Sequence, residues 1–140
     1  MGAELSALGS GILHHLAAIA ERGPQAVQNL QARLIERIQV LLQNSGGMVE
    51  PKDVARETAV LADRCDISEE IVRLRAHLIQ FQEIIDEPQS AGRKLEFVAQ
   101  EIGREINTVG SKASDVQISR SVVEVKALLE KIRELVQNVE

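Results

Sequence analysis

Aromatic residues are almost absent from this sequence, which contains two Phe and neither Tyr nor Trp. A hydrophobic core must therefore be aliphatic. The stacking of nucleobases on aromatic rings, which is common in proteins that bind single-stranded nucleic acids, is nearly excluded. With 44% hydrophobic residues, the chain of 140 residues is nevertheless too apolar to be disordered. We expect it to fold around a core of Leu, Ile, Val and Ala.

Cysteine, basic charge and long apolar runs are also scarce. Cys65 is the single cysteine, which excludes an internal disulfide and is typical of a reducing compartment, so we expect a cytoplasmic location. No stretch approaches the roughly 20 consecutive apolar residues of a membrane span, and we expect no membrane association. The net charge of −5 argues against nucleic-acid binding through bulk charge. Any such contact requires a local basic patch.

The pattern of apolar residues predicts an all-α fold. Only three prolines are present, and between the Gly, Pro and Ser clusters apolar residues recur at intervals of three and four. We predict about five helices in an elongated antiparallel helical bundle. Residues 1–47 are expected to form a helical hairpin of two connecting helices, separated at Gly23 and Pro24.

Residues 48–140 are expected to form the second helical unit. Its first segment runs from Pro51 to about Ile85, with a possible break at Asp66, where Asp66 and Glu69 have the spacing of a capping box. The last segment has apolar residues at alternating intervals of four and three, which is typical of a coiled-coil-like helix. These residues are Ile118, Val122, Val125, Leu129, Ile132, Val136 and Val139.

The segment from Gly92 to Asp115 carries an unusual charge pattern on an amphipathic helix. Glu101 and Glu105 are like charges four residues apart, which costs an isolated helix roughly 0.2 to 0.5 kcal/mol. Arg104 can relieve Glu101, but no cation lies three or four residues from Glu105. Two interpretations remain open at this point: a solvated helix face, or a site for a metal ion or phosphate.

A second polar flank precedes this segment in the chain. Asp66, Glu70, Arg73 and His77 lie along one side of an apolar stripe, so packing the two stripes together would bring the polar flanks face to face. The expected result is a cleft between two helices. By itself, however, His77 is more typical of a surface or hydrogen-bonded histidine than of a ligand.

Three runs of the sequence closely resemble one protein family. They are ADRCDISEEIVRLRAHL, GRKLEFVAQEIGREINTVGSKASD and VVEVKALLEKIRELVQNVE, and they resemble the C-terminal domain of the YicC/YloC family of bacterial endoribonucleases. The resemblance is strong from about Asp53 to the end and weaker through the first two segments, so residues 48–140 are assigned to a YicC-like C-terminal domain. Gly103 and Leu135 depart from the family pattern, in which Asn and Gln are usual at these positions.

This resemblance implies a metal-dependent endoribonuclease that hydrolyses phosphodiester bonds of single-stranded RNA. It also implies a homo-oligomer, a hexamer in the full-length protein, and an additional N-terminal domain that this chain lacks. The alternative function is a non-catalytic helical module for oligomerisation and RNA binding, in which the charged residues of the Gly92–Asp115 segment form salt bridges between subunits. A metal-free attack by the ribose 2′-hydroxyl has little support, because it needs a well-placed acid and base and His77 is the only histidine in this region.

Helix geometry restricts the choice of metal ligands within the expected cleft. Glu101 and Glu105, about 6 Å apart along a helix axis, can converge on one ion, whereas Glu70 and His77 are about 10.5 Å apart. We therefore predict Glu101 and Glu105 as primary ligands of Mn²⁺ or Mg²⁺, completed by Glu70 or His77 from the facing helix. The same four residues are the predicted catalytic residues. The predicted RNA-binding residues are Arg73, Arg93, Lys94, Arg104, Asn107 and Lys112.

Overall fold

The computed structural model describes residues 2–46, 50–87 and 91–138. These ranges contain five α-helices and no strand, which confirms the predicted all-α class. The helices are α1 (Gly2–Ser45), α2 (Pro51–Arg64), α3 (Ser68–Ile85), α4 (Gly92–Lys112) and α5 (Val116–Gln137). No helix in the described ranges is both long enough and apolar enough to cross a membrane.

Four of the helices form a bundle in which each packs on two neighbours. α1 packs on α3 and α5, and α4 packs on the same two helices from the opposite side. Neighbouring helices run antiparallel: Ser6 near the start of α1 bonds Gln82 near the end of α3, and Glu70 near the start of α3 bonds Lys112 at the end of α4. α2 lies outside this bundle and packs on α1.

The core of the bundle is aliphatic apart from Phe81, which is 1% exposed. In α4, all five residues of the apolar stripe are buried: Leu95, Val98, Ile102, Ile106 and Val109. In α5, the predicted heptad positions are buried from Ile118 to Val136, whereas Val139 lies outside the described residues. Intervals of three and four therefore identified the buried faces of both helices correctly.

The predicted hairpin within residues 1–47 is wrong, because α1 is a single helix of 44 residues with Pro24 in its interior. An internal proline loses one backbone hydrogen bond and costs about 3 kcal/mol. Tertiary contacts on both sides of it offset this cost. Arg22 pairs with Asp115 of the α4–α5 connection, Gly23 lies against the side chain of Ile67, and Ala26 is buried.

The possible break near Asp66 is confirmed, since α2 ends at Arg64 and α3 begins at Ser68. The proposed capping box is wrong, however. The Asp66 side chain accepts hydrogen bonds from the backbone N–H and hydroxyl of Ser68 rather than from the backbone of Glu69. This short connection turns the chain so that α3 enters the bundle, while α2 remains on the surface of α1.

Candidate functional site between α3 and α4

The polar flanks of α3 and α4 face each other and are joined by ion pairs. Glu70 of α3 is 2% exposed, and its Oε1 accepts a hydrogen bond of 2.6 Å from Nζ of Lys112, in the last turn of α4. This hydrogen bond raises the pKa of Lys112 above its usual value. A buried carboxylate is expensive without a cation, so Lys112 compensates the charge that Glu70 brings into the bundle.

Arg73 links three carboxylates on the same flank. Its Nε donates a hydrogen bond of 2.8 Å to Oε1 of Glu105, which is the main reason that the pKa of Arg73 is raised. Its guanidinium also lies 3.5 Å from Glu70 and 3.6 Å from Glu69. Glu105 has no cation three or four residues away on α4, and α3 supplies one from across the helix interface.

Glu101 and Glu105, the predicted primary metal ligands, have different cationic partners. Glu101 pairs with Arg104 of the same helix at 3.5 Å, whereas Glu105 pairs with Arg73 across the helix interface. His77 is half-buried on α3. Within the described ranges its imidazole has neither an ion pair nor a hydrogen bond.

A metal centre does not fit this donor arrangement as it stands. In the part of the chain that the structure describes, no three His, Cys, Asp or Glu side chains are grouped closely enough to hold a metal ion. Arg73 and Lys112 already neutralise Glu70 and Glu105. Oε2 of Glu70 is buried and has no hydrogen-bond partner within the described residues. The predicted metal site remains a prediction.

The predicted RNA-binding residues do not form one patch. Arg93 and Lys94 begin α4, while Lys112 ends it, about 28 Å away along the helix axis. Lys94 pairs with Glu87 at 3.4 Å and lines a groove of about 490 Å³ with Arg93 and the exposed Phe97. Arg104 and Asn107 are exposed near the middle of α4. Four of the predicted cations are thus distributed along α4, whereas Arg73 lies on α3.

A second concentration of cations lies where α1 passes the α4–α5 connection. Arg22, Arg33 and Arg120 line a groove there, and none of them was among the predicted site residues. Arg22 binds the carboxylate of Asp115 with distances of 3.1 to 3.2 Å, which lowers the pKa of Asp115. Asp115 also caps α5 by accepting a hydrogen bond from the backbone N–H of Ile118. The spacing of Arg22 and Arg33 places them on one face of α1, but no pattern in the sequence connects them with Arg120.

Comparison with known proteins identifies the family of this chain. The family described as "Endoribonuclease YicC-like, C-terminal" matches residues 19–140. The chain belongs to this family, and the resemblance inferred from the sequence is confirmed.

Two curated relatives are both named "Probable endoribonuclease YicC". The protein of Clostridioides difficile (strain 630) is 42% identical over 127 residues, which cover 91% of this chain and 43% of that protein. The protein of Haemophilus influenzae (strain ATCC 51907 / DSM 11121 / KW20 / Rd) is 38% identical over 117 residues, which cover 84% of this chain and 39% of that protein. The chain thus matches about two fifths of the length of these relatives.

Proposed function

We propose that this chain is the C-terminal half of an endoribonuclease that hydrolyses phosphodiester bonds of single-stranded RNA. Membership of the YicC-like family supports the reaction class. The observation that supports a functional role for the α3–α4 flank is the buried carboxylate of Glu70, which is held by Lys112 and Arg73 and retains one oxygen without a partner. A buried carboxylate oxygen without a hydrogen-bond partner is costly for stability, and a catalytic role is one reason for a protein to keep such a group.

The residues of the flank divide into two roles in this proposal. Arg73 and Lys112 fix the positions of Glu70 and Glu105 through ion pairs between α3 and α4. Arg104, whose side chain is 80% exposed, and the exposed Arg93 and Asn107 bind the RNA backbone. Because base stacking is restricted by the scarcity of aromatic residues, we expect recognition to depend on the sugar-phosphate backbone more than on base identity.

Cleavage by the full-length protein tests this proposal. We expect unstructured RNA to be cut in the presence of Mn²⁺ or Mg²⁺ and to stay intact when a chelator is added. Glu105→Gln, in the numbering of this chain, is expected to lower the rate by about 100-fold, the effect of losing a positioned acid or base. Glu124→Gln is the matched control, since Glu124 is exposed on α5 outside the flank.

A Glu105→Gln protein that cuts RNA at the normal rate would contradict the site assignment. A wild-type full-length protein that leaves RNA intact with either metal would instead favour the non-catalytic interaction module. Melting curves recorded by circular dichroism must accompany both variants, because Glu105 also pairs with Arg73 and its loss can weaken the helix interface.

The metal requirement has a separate test in the isolated chain. Since Arg73 and Lys112 neutralise the carboxylates, we expect Mn²⁺ to leave the melting temperature unchanged and the metal of the active enzyme to need donors from the rest of the protein or a second copy. A rise in melting temperature that disappears in the Glu101→Gln/Glu105→Gln variant would show the opposite. The metal would then displace these cations and bind within this chain.

We also propose that the full-length protein is a homo-oligomer, a hexamer according to the family resemblance. The second half of α1 and the helix α2 that packs on α1 expose several large apolar side chains, which favours a contact with another protein there. They are Val40, Leu41, Val60 and Leu61, with exposures of 49%, 59%, 43% and 40%. The alternative function predicts salt bridges between subunits at the charged residues of α4. In this structure those residues form salt bridges within one chain.

A further inference from the structure

The groove between α1 and the start of α5 has the size and lining of a ligand site. We name it the arginine groove and define it by Arg22, Arg33, Asp115, Val116, Arg120 and Val123. Its volume is about 930 Å³, which lies in the range of about 300 to 1,000 Å³ that is usual for ligand pockets. The proposed metal ligands and RNA-binding residues do not line it.

The charge of the arginine groove is positive, although the chain has a net charge of −5. Asp115 neutralises Arg22 through a bidentate ion pair, in which Nε donates to Oδ2 and Nη2 donates to Oδ1. Arg33 makes one long hydrogen bond of 3.5 Å to the carbonyl oxygen of Ser114. Arg120 is exposed and has no ion pair within the described ranges. Two guanidinium groups therefore remain available to an anion, and guanidinium is suited to bidentate phosphate binding.

The arginine groove also has an apolar side, which distinguishes it from a site for a bare inorganic anion. Val116 and Val123 expose 67% and 62% of their surface there. A chain of nucleotides presents both phosphates and the apolar faces of sugars and bases, so it satisfies both parts of the lining. The backbone amides at the start of α5 are not the anion-binding groups of this groove, because Asp115 already caps that helix.

The position of the arginine groove connects it with the proposed active flank. Lys112, which holds Glu70, ends α4, and Asp115 of the groove follows three residues later. Three residues span at most about 10 Å. A nucleic-acid strand that is bound in the groove can therefore continue directly to the α3–α4 flank.

We propose that the arginine groove binds the sugar-phosphate backbone of single-stranded RNA, with Arg33 and Arg120 as its phosphate ligands. This inference rests on the proposed function, in that the RNA held here is the strand to be cleaved at the α3–α4 flank. The groove supplies affinity and directs the strand, and it takes no part in bond cleavage.

Equilibrium RNA binding, measured by fluorescence anisotropy with a labelled oligouridylate and chelator present, tests the groove. For the Arg33→Gln/Arg120→Gln variant of this chain, the slope of log K against log salt is expected to fall by about 1.4, because each single-strand phosphate contact contributes about 0.7. The affinity is expected to fall by about 25-fold at about 0.1 M salt on the same basis. The control is Lys126→Gln/Lys131→Gln, which removes two exposed cations of α5 outside the groove.

Each outcome of this experiment decides the inference. A slope and an affinity that fall in the groove variant but not in the control support it. Equal losses in both variants indicate general charge attraction and overturn the inference. A groove variant that binds RNA like the wild type also overturns it. Neither result affects cleavage by the full-length protein, so the proposed function would stand. A full-length groove variant with unchanged RNA affinity would indicate that another part of the protein covers the groove, which also overturns the inference.

Discussion

Replacing Lys112 by methionine is expected to lower the free energy of unfolding by about 3 kcal/mol. Breaking a buried ion pair from one side costs about 3 to 5 kcal/mol, because the remaining charge stays buried without compensation. Glu70 would be that charge, since it is 2% exposed and bonds Lys112 at 2.6 Å. The lower end of the range applies because Lys112 is 35% exposed and Arg73 remains 3.5 Å from Glu70.

The double variant Glu70→Leu/Lys112→Met separates the charge effect from a packing effect. Replacing both partners of a buried pair by apolar residues is often neutral or stabilising, so we expect it to recover most of the lost stability in urea denaturation. Lys126→Met, at an exposed position of α5, is the control and is expected to stay within about 0.5 kcal/mol of the wild type. A double variant as unstable as Lys112→Met would contradict this account of the pair.

The same double variant also separates stability from activity. If Glu70 serves cleavage, the full-length protein with Glu70→Leu/Lys112→Met should fold normally and cut RNA slowly. If the pair is purely structural, the stable variant should cut RNA at the normal rate. Glu70 and Lys112 would then be removed from the proposed site.

Replacing Leu74 by alanine is expected to destabilise the chain by about 2 to 5 kcal/mol. Leu74 is 0% exposed in the centre of α3, so truncation removes buried apolar surface and leaves a cavity among closely packed helices. The loss of free energy is measured by urea denaturation monitored by circular dichroism at the helical signal. Val72→Ala is the control on the same helix, since Val72 is 65% exposed, and we expect a change within about 0.5 kcal/mol.

A loss below about 1 kcal/mol for Leu74→Ala would show that α3 readjusts to fill the cavity. The ion pairs between α3 and α4 would then have to tolerate movement of the two helices. Comparison of Leu74→Ala with Lys112→Met therefore indicates whether apolar packing or charge pairing contributes more to holding α3 against α4.

The success of sequence-based prediction differed between helices and connections. The buried faces of α4 and α5 followed from the spacing of their apolar residues, because helical period is a local property. Pro24 was misleading for the same reason: its local preference favours a break, whereas Arg22, Gly23 and Ala26 make contacts outside the helix that keep α1 continuous.

The sequence predicted which residues make up the candidate site, but it did not predict which of them form ion pairs with each other. The facing polar flanks of α3 and α4 followed from the two patterns, yet the sequence offered no cation three or four residues from Glu105. Arg73 reaches it from α3 at 2.8 Å. A carboxylate that is unpaired on an isolated helix is therefore compatible with an ion pair as well as with a metal, and only the packing of the helices distinguishes the two.

The sequence by itself determined the helical class, the aliphatic core, the family and the residues that make up the charged flank. All of these depend on composition, on period or on runs of similar residues, which are properties of neighbouring positions. Only the tertiary structure decided that Lys112 neutralises Glu70, that Arg73 neutralises Glu105, and that Arg33 and Arg120 share a groove. Each of these relations joins residues on different helices. The sequence could not predict them, because helix packing sets the distance between such residues. Periodicity specifies only which face each helix buries.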